Sequence, residues 1–315
     1  MRIAIVGAGA VGSVYGALLS RSGHDVTLVD VAAEQVDAIN RGGIVLAGAA
    51  GDEPAVPAAA STDAAAARGA EAVLVLVKSH ATAAAARSLA PHLGEHAIAV
   101  TLQNGLGNDR ALAAVLGPDR VVAGATTVGA ELLGPGRVAA SPSALEGGSL
   151  TSLGAPPAGT PARAAAERLA SVLNGSGLPA ELRDDVELVI WRKLAFTASM
   201  APLCALLRCT VADALESEPG RRALRRMFDE VVAVAGAGGV ELDAHELWDQ
   251  ALATWQGIGA HRPSLVVDLE AGRPTEIDAL SGAVAALAAE HDAAAPAAEL
   301  AAALVGVAQS SPVRA

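Results

Sequence analysis

Arg2-Ile3-Ala4-Ile5-Val6-Gly7-Ala8-Gly9-Ala10-Val11-Gly12 opens the chain and decides how its first half is read. Ile3–Val6 is a short apolar run ended by glycine, the pattern of a parallel strand buried on both faces. The glycines fall at the G-x-G-x-x-G spacing, and a helical pattern continues from Val11 to about Arg21, with Gly23 marking its end. Each glycine has its own task at such a turn. Gly7 permits the tight bend, Gly9 lets the backbone approach a pyrophosphate, and Gly12 lets the helix pack closely on the strand. The helix N-terminus, at Ala10 and Val11, offers N–H groups and a partial positive charge to phosphates. Glycine-rich turns are common by themselves. This one follows a strand, opens a helix and precedes a second strand that ends in an acid, so it reads as a dinucleotide site rather than a structural turn.

That second strand is Asp25–Asp30, and Asp30 lies 18 residues beyond Gly12. A carboxylate there accepts hydrogen bonds from the ribose hydroxyls of NAD and repels the 2′-phosphate of NADP. The competing reading makes Asp30 the cap of a helix predicted over Ala32–Arg41. NAD(H) is favoured as cofactor. Lys78, just past the strand predicted over Ala72–Val77, leaves NADP(H) open, because it can reach cofactor phosphates or stand as a solvated loop lysine.

Further strands are expected at Ile98–Leu102, Val121–Thr126, Ser149–Leu153 and Leu178–Leu182, and Thr160–Leu173 reads as a helix with Pro161 at its start. After about Asp184 strand signals mostly stop. Glu187–Leu207, Arg221–Ala237, Ala244–Gln256 and Thr275–His291 read as helices, with breaks at Glu218-Pro219-Gly220, Gly236–Gly239 and Ala271–Pro274. The fold class expected is α/β: an N-terminal Rossmann domain, residues 1–184, and an all-helical C-terminal domain, residues 185–315.

Composition sets the limits. Hydrophobic residues make up 52% of the 315 and aromatics 2%, so the cores must be built mainly from Leu and Val. The alanine runs Ala64–Ala67 and Ala293–Ala303 read as helix faces. The net charge of −12 argues against a nucleic-acid partner. No uninterrupted apolar stretch of about 18 residues appears, and the start lacks the regions of a signal peptide, so a cytoplasmic protein with no membrane partner is expected. Cys204 and Cys209 are read as reduced, partly buried thiols, and no metal site is read.

Gln103-Asn104-Gly105 follows the strand at Ile98–Leu102, where parallel strands line their ligand crevice. Asn104 there can bridge a nicotinamide ribose and a substrate, or it is an ordinary Asn-Gly turn. Lys193, in Trp191-Arg192-Lys193-Leu194, is a candidate general acid, since desolvation lowers a lysine pKa and a carboxylate restores it. Glu276 is a candidate for that carboxylate, and Ser264 for binding a substrate carboxylate or hydroxyl. The blander readings are a snorkelling lysine, a helix start at Thr275-Glu276 and a serine cap.

Taken together, these segments resemble the ketopantoate reductase family along nearly the whole chain. The resemblance rests on Gly7–Gly12, Val77-Lys78, Leu102–Gly105, Gly124–Thr127, Gly134–Gly136, Trp191–Leu194, Pro202-Leu203, Pro263-Ser264 and Asp268–Asp278. It implies a Rossmann domain and a helical domain with the active site between them. It also implies reduction of a small-molecule 2-keto acid by a reduced nicotinamide. Lys193 then matches the family's general acid, Glu276 the acid that tunes it, Asn104 the residue contacting cofactor and substrate, and Ser264 a substrate-binding serine. A homodimer is consistent with the resemblance.

The chain departs from the family where Asn is common: Thr197, Ala201 and His261 stand at substrate-side positions. Losing a buried donor to a polar substrate costs about 1–3 kcal/mol. Ketopantoate is the default substrate. The alternatives are an NAD-dependent D-2-hydroxyacid dehydrogenase acting on a bulkier or more apolar acid and, in another class, a non-catalytic dinucleotide-sensing protein.

Overall fold

The computed structural model describes residues 1–48 and 51–310. Its contacts divide the chain into two units, one of Met1–Gln103 and Asn108–Val186, the other of Asn104–Gly107 and the chain from Glu187 onward.

The first unit begins β1 (Arg2–Val6), α1 (Ala10–Arg21), β2 (Asp25–Val29), α2 (Ala33–Gly42), β3 (Val45–Gly48), β4 (Gly51–Asp52) and β5 (Ala59–Ser61). It continues with β6 (Ala72–Val75), α3 (Thr82–Leu89), β7 (Ile98–Thr101), α4 (Asn108–Leu116), β8 (Val121–Thr126), β9 (Ala130–Gly134) and β10 (Arg137–Ala140). Last come α5 (Pro142–Leu145), β11 (Thr151–Gly154), α6 (Pro161–Gly175) and β12 (Ala180–Arg183). The main sheet has the order β12-β11-β8-β7-β6-β1-β2-β5. Its strands from β5 to β8 are parallel, and β11 pairs antiparallel with β8. The apolar runs at β6 and β7 are buried along their whole length, as strands covered on both faces must be. The order reverses between β1 and β6, so the ligand crevice of this sheet opens at their carboxyl ends.

A smaller sheet, β4-β3-β10-β9, lies outside the sequence reading. Its strands are short and partly exposed, and a half-buried alanine- and glycine-rich strand carries almost no periodic signal. Tyr15, the chain's single tyrosine, is equally illegible from sequence. It is fully buried on α1, and its hydroxyl lies 2.9 Å from Thr126 Oγ1 and 2.5 Å from Thr151 Oγ1, tying the helix across β8 and β11. Burial raises its phenol pKa.

The second unit contains α7 (Val186–Leu207), α8 (Val211–Glu216), α9 (Glu218–Ala237), α10 (Ala244–Ile258), α11 (Ser264–Glu270), α12 (Ser281–Glu290) and α13 (Pro296–Ser310). Leu194, Cys204, Phe228, Val231, Val234, Trp255, Ile277 and Val305 form part of its core. By length and composition α7 is apolar enough to cross a membrane, but more than half of its apolar window is buried inside the protein, as in a core helix. Cys204 and Cys209 are free thiols near its end, and burial pushes the Cys204 thiol up to about 12.

Several expectations change. The segment Thr275–His291 is not one helix: Thr275 and Glu276 precede a 3-10 turn at Ile277–Ala279, and α12 starts only at Ser281. Gln309 of α13 holds this segment open, accepting from the Thr275 N–H at 3.2 Å and the Thr275 hydroxyl at 2.7 Å. Glu218-Pro219-Gly220 is not a break but the first turn of α9, capped by Ser217, where proline loses no helical hydrogen bond. Ala64–Ala67 forms a 3-10 turn rather than a helix face, and α13 begins at Pro296, after Ala293–Ala295. Ser264 is the first residue of α11 and makes no cap.

The start of α13 is satisfied from a distance. Glu230 is 5% exposed and accepts from the backbone N–H groups of Ala297 at 2.8 Å and Ala298 at 3.0 Å. Arg226 donates to it at 3.0 Å. Glu230→Ala strands those donors at a helix N-terminus, so unfolding in urea is expected to show a loss of about 2–3 kcal/mol. A loss under about 0.5 kcal/mol, the scale of an ordinary surface substitution, would remove Glu230 from this role.

Candidate active site

The glycine turn has the geometry its spacing demands. Gly7 has φ +103°, and a Cβ on it would lie 2.6 Å from the Val77 nitrogen. A Cβ on Gly12 would overlap the Gly7 carbonyl oxygen, so helix and turn touch backbone to backbone. Gly9 differs: a Cβ there would meet no atom within 4 Å, and no side chain caps α1. Ala10 and Val11 form the first turn of that uncapped helix.

Asp30 sits just past β2 and faces this turn. Its Oδ2 accepts from the Ala8 N–H at 2.6 Å and its Oδ1 from the Ala32 N–H at 2.9 Å. It therefore spans the glycine turn and the approach to α2, whose N-cap position belongs to Ala32. Gln35 reinforces the turn by donating to the Ala8 carbonyl at 2.7 Å, while its Oε1 accepts from the Gly136 N–H at 2.8 Å. No local pattern marks Gln35, because its partners are 27 and 101 residues away. Lys78 directly follows Val77, the residue against Gly7, and is half-buried.

These residues fit a dinucleotide. Open space over Gly9 admits a pyrophosphate, the uncapped α1 turns its N-terminus toward it, and the Asp30 carboxylate stands at the end of β2, where a ribose is held.

The second group lies in the helical unit. Lys193 is half-buried on α7, and its apolar surroundings push its pKa down to about 8 against the opposing pull of the Glu276 charge. Glu276 is 7% exposed. Asn104 belongs to a segment that docks on the turn following Glu276. Leu106 donates its N–H to the Ala279 carbonyl at 2.9 Å, and a Cβ on Gly105, at φ +82°, would overlap that same oxygen. Glycine at 105 thus serves close backbone approach as well as turning. The structure brings Lys193, Glu276 and the Asn104 segment into one neighbourhood.

Thr197 lies one turn along α7 and donates its hydroxyl to the Lys193 carbonyl at 3.0 Å, which leaves it only as an acceptor. Ala201, one turn further, is buried. Ser264 and His261 are exposed at the start of α11. Sequence reasoning passed over the braces of the Glu276 segment: the Thr275–Gln309 pair and Arg273, whose Nε lies 2.9 Å from Asp268.

Comparison with known proteins bears on this arrangement. The profile of the family described as "Ketopantoate reductase PanE/ApbA" matches residues 3–152, and that of its C-terminal domain matches residues 185–309. The chain belongs to the ketopantoate reductase family. It is 31% identical over 309 residues to the 2-dehydropantoate 2-reductase of Halobacterium salinarum, covering 98% of this chain and 99% of that one. It is 30% identical over 286 residues to the enzyme of the same name from Streptococcus pyogenes serotype M1, covering 90% of each. A solved 2-dehydropantoate 2-reductase from Geobacter metallireducens superposes with TM-score 0.87 at 31% identity, covering 98% of this chain and 100% of that one. A D-mandelate dehydrogenase solved with NADH and anilino(oxo)acetate superposes with TM-score 0.89 at 26% identity, covering 98% of this chain and 99% of that one. As a member of the ketopantoate reductase family, the protein is an NAD(P)-dependent oxidoreductase acting on a CH–OH group.

Proposed function

We propose that this enzyme reduces a 2-keto acid to the 2-hydroxy acid, with ketopantoate as its default substrate and Lys193 as general acid. The reading is carried by Lys193 itself: a lysine pushed down to about 8, with the charge of buried Glu276 opposing the fall, is poised to give up a proton near neutral pH. As the keto carbon is reduced, negative charge collects on its oxygen. Lys193 Nζ–H polarises that carbonyl and then delivers its proton to the forming alkoxide. Glu276 keeps Lys193 protonated and oriented until then, and burial stabilises the neutral amine that remains. A bound reduced nicotinamide supplies the hydride.

Gly7, Gly9, Ala10, Val11 and Gly12 would hold the pyrophosphate, Asp30 the ribose, and Lys78 and Asn104 further parts of the cofactor. Asp30 supports NAD(H) over NADP(H), because its carboxylate meets ribose hydroxyls favourably and a 2′-phosphate unfavourably. Asn104, Thr197, His261 and Ser264 are the candidate substrate contacts. One observation supports a second reading, reduction of a bulkier or more apolar keto acid. Thr197 has its proton committed to Lys193 O and Ala201 offers no polar atom, so neither of these two positions donates to a polar substrate.

The deciding experiment is a panel of 2-keto acids assayed with NADH and with NADPH. Ketopantoate is expected to give the highest kcat/KM, and NADH to be preferred. A preference for branched or aromatic acids establishes the second reading, and tighter binding of NADPH overturns the role of Asp30. Failure to reduce any 2-keto acid with either cofactor overturns the proposal.

A further inference from the structure

We propose that Gln103 is the positioning residue that holds the cofactor crevice in shape, by clamping the loop after β6 against the glycine turn. The inference rests on the dinucleotide reading above and adds to it a residue whose side-chain partners all lie in the first unit.

Gln103 follows β7, and its carboxamide makes three hydrogen bonds, to the exit of β6, the start of α3 and the end of its own strand. Its Nε2 donates to the Val77 carbonyl at 2.6 Å and to Thr82 Oγ1 at 2.7 Å, while its Oε1 accepts from the Thr101 hydroxyl at 2.9 Å. Thr82 is the first residue of α3 and passes its own proton to Asn108 Oδ1 at 2.9 Å, at the first residue of α4. Thr82 and Asn108 are buried. One amide therefore ties together the exits of β6 and β7 and the starts of the helices that follow them.

The bond to Val77 carries the inference. The Val77 nitrogen is the atom that a Cβ on Gly7 would meet first, and the Leu76 N–H donates to the Val6 carbonyl at 2.7 Å. The β6 exit therefore lies directly against the glycine turn, at the place where the strand order reverses. Lys78 is the next residue. The Val77 carbonyl needs a donor, and Thr82 Oγ1, already donating to Asn108, needs one too. A primary amide supplies both N–H groups and still offers an oxygen to Thr101, whereas a carboxylate supplies none. Gln103→Glu sets an oxygen against the Val77 carbonyl, which pushes the loop off Gly7 and carries Lys78 with it. Gln103→Met keeps the length and removes every bond.

The test is a fluorescence titration of each folded variant with NADH and with NADPH, alongside steady-state kinetics. Gln103→Glu is expected to weaken binding of the preferred cofactor by about tenfold to a hundredfold, and Gln103→Met by less, consistent with leaving buried polar groups unpaired. The KM for the cofactor should rise with its Kd, while the KM for the keto acid at saturating cofactor changes little. A merely structural glutamine lowers the melting temperature and leaves the cofactor Kd where it was. An unchanged Kd, within twofold, in folded Gln103→Met overturns the proposal. Gln103→Met introduces no charge and decides the matter if Gln103→Glu does not fold. Wild-type protein that binds neither nucleotide overturns the dinucleotide reading and this inference together. Wild-type binding with unaltered variants overturns the inference alone.

Discussion

Replacing Lys193 with methionine is expected to lower kcat for keto-acid reduction by about 10²- to 10⁴-fold, the usual worth of a positioned general acid. Methionine keeps the length and apolar contacts of the side chain and removes the proton. Cofactor affinity should stay within a few-fold, because the substitution leaves every residue proposed to hold the dinucleotide unchanged. The pH profile offers a second check. Reduction needs the protonated amine, so kcat should be flat below about 8 and fall roughly tenfold per pH unit above it, following the lowered pKa of Lys193.

The same substitution should stabilise the fold. Burial makes the charged form of Lys193 less favourable in the folded state than in the unfolded one, whose lysine titrates near its ordinary value of 10.5. Below about pH 8 both states are charged and the whole cost is present. Between there and 10.5 the unfolded state binds more protons, so stability rises with pH as the cost is lost. At pH 7 methionine should therefore gain about 2–3 kcal/mol in urea unfolding. An inactive, more stable variant separates a catalytic lysine held at a cost from a snorkelling one, which would lose activity only slightly and gain nothing.

Gly12→Ala is expected to have the second-largest effect. The added methyl has no room, since it overlaps the Gly7 carbonyl oxygen and presses on Ile5. The far side of this contact is backbone, which cannot swing away as a flexible side chain would. Helix α1 must lift from β1, at a cost of about 1–3 kcal/mol or somewhat more. The displaced helix N-terminus then misses the phosphates, and a displacement of about 1 Å suffices to cost on the order of a hundredfold. Calorimetry and NADH titration should show both losses. Gly9→Ala provides the contrast: a Cβ there meets nothing within the protein, so stability should be nearly unchanged while cofactor binding weakens. Equal effects at the two positions would mean that Gly9 does not face a ligand.

Much of the fold was legible where the causes are local. The Gly7–Gly12 spacing reports the turn because a positive φ and backbone-to-backbone packing admit no side chain. The apolar runs at β1, β6 and β7 report strands buried on both faces. Helix α8 was missed although a signal was present. Thr210 and Asp213 form a capping box, with the Asp213 N–H donating to Thr210 Oγ1 at 3.2 Å and Asp213 Oδ2 accepting from the Thr210 N–H at 2.8 Å. The form of the Glu276 segment was not legible at all. Helical periodicity runs through Thr275–His291, and the interaction that overrides it comes from Gln309, 34 residues later.

The sequence by itself determined the α/β order of the first half, the helical character of the second, and the glycine turn on which a dinucleotide reading rests. Each follows from forces that act within a few residues, or from the burial a parallel sheet imposes. Only the tertiary structure decided that Asp30 reaches back to Ala8, that Gln103 reaches across to Val77, and that the Asn104 segment docks beside the Glu276 turn. It also decided that burial pushes the Lys193 amine down to about 8 against the pull of the Glu276 charge. Desolvation and paired charge depend on what surrounds an atom in space, and no spacing along the chain reports that.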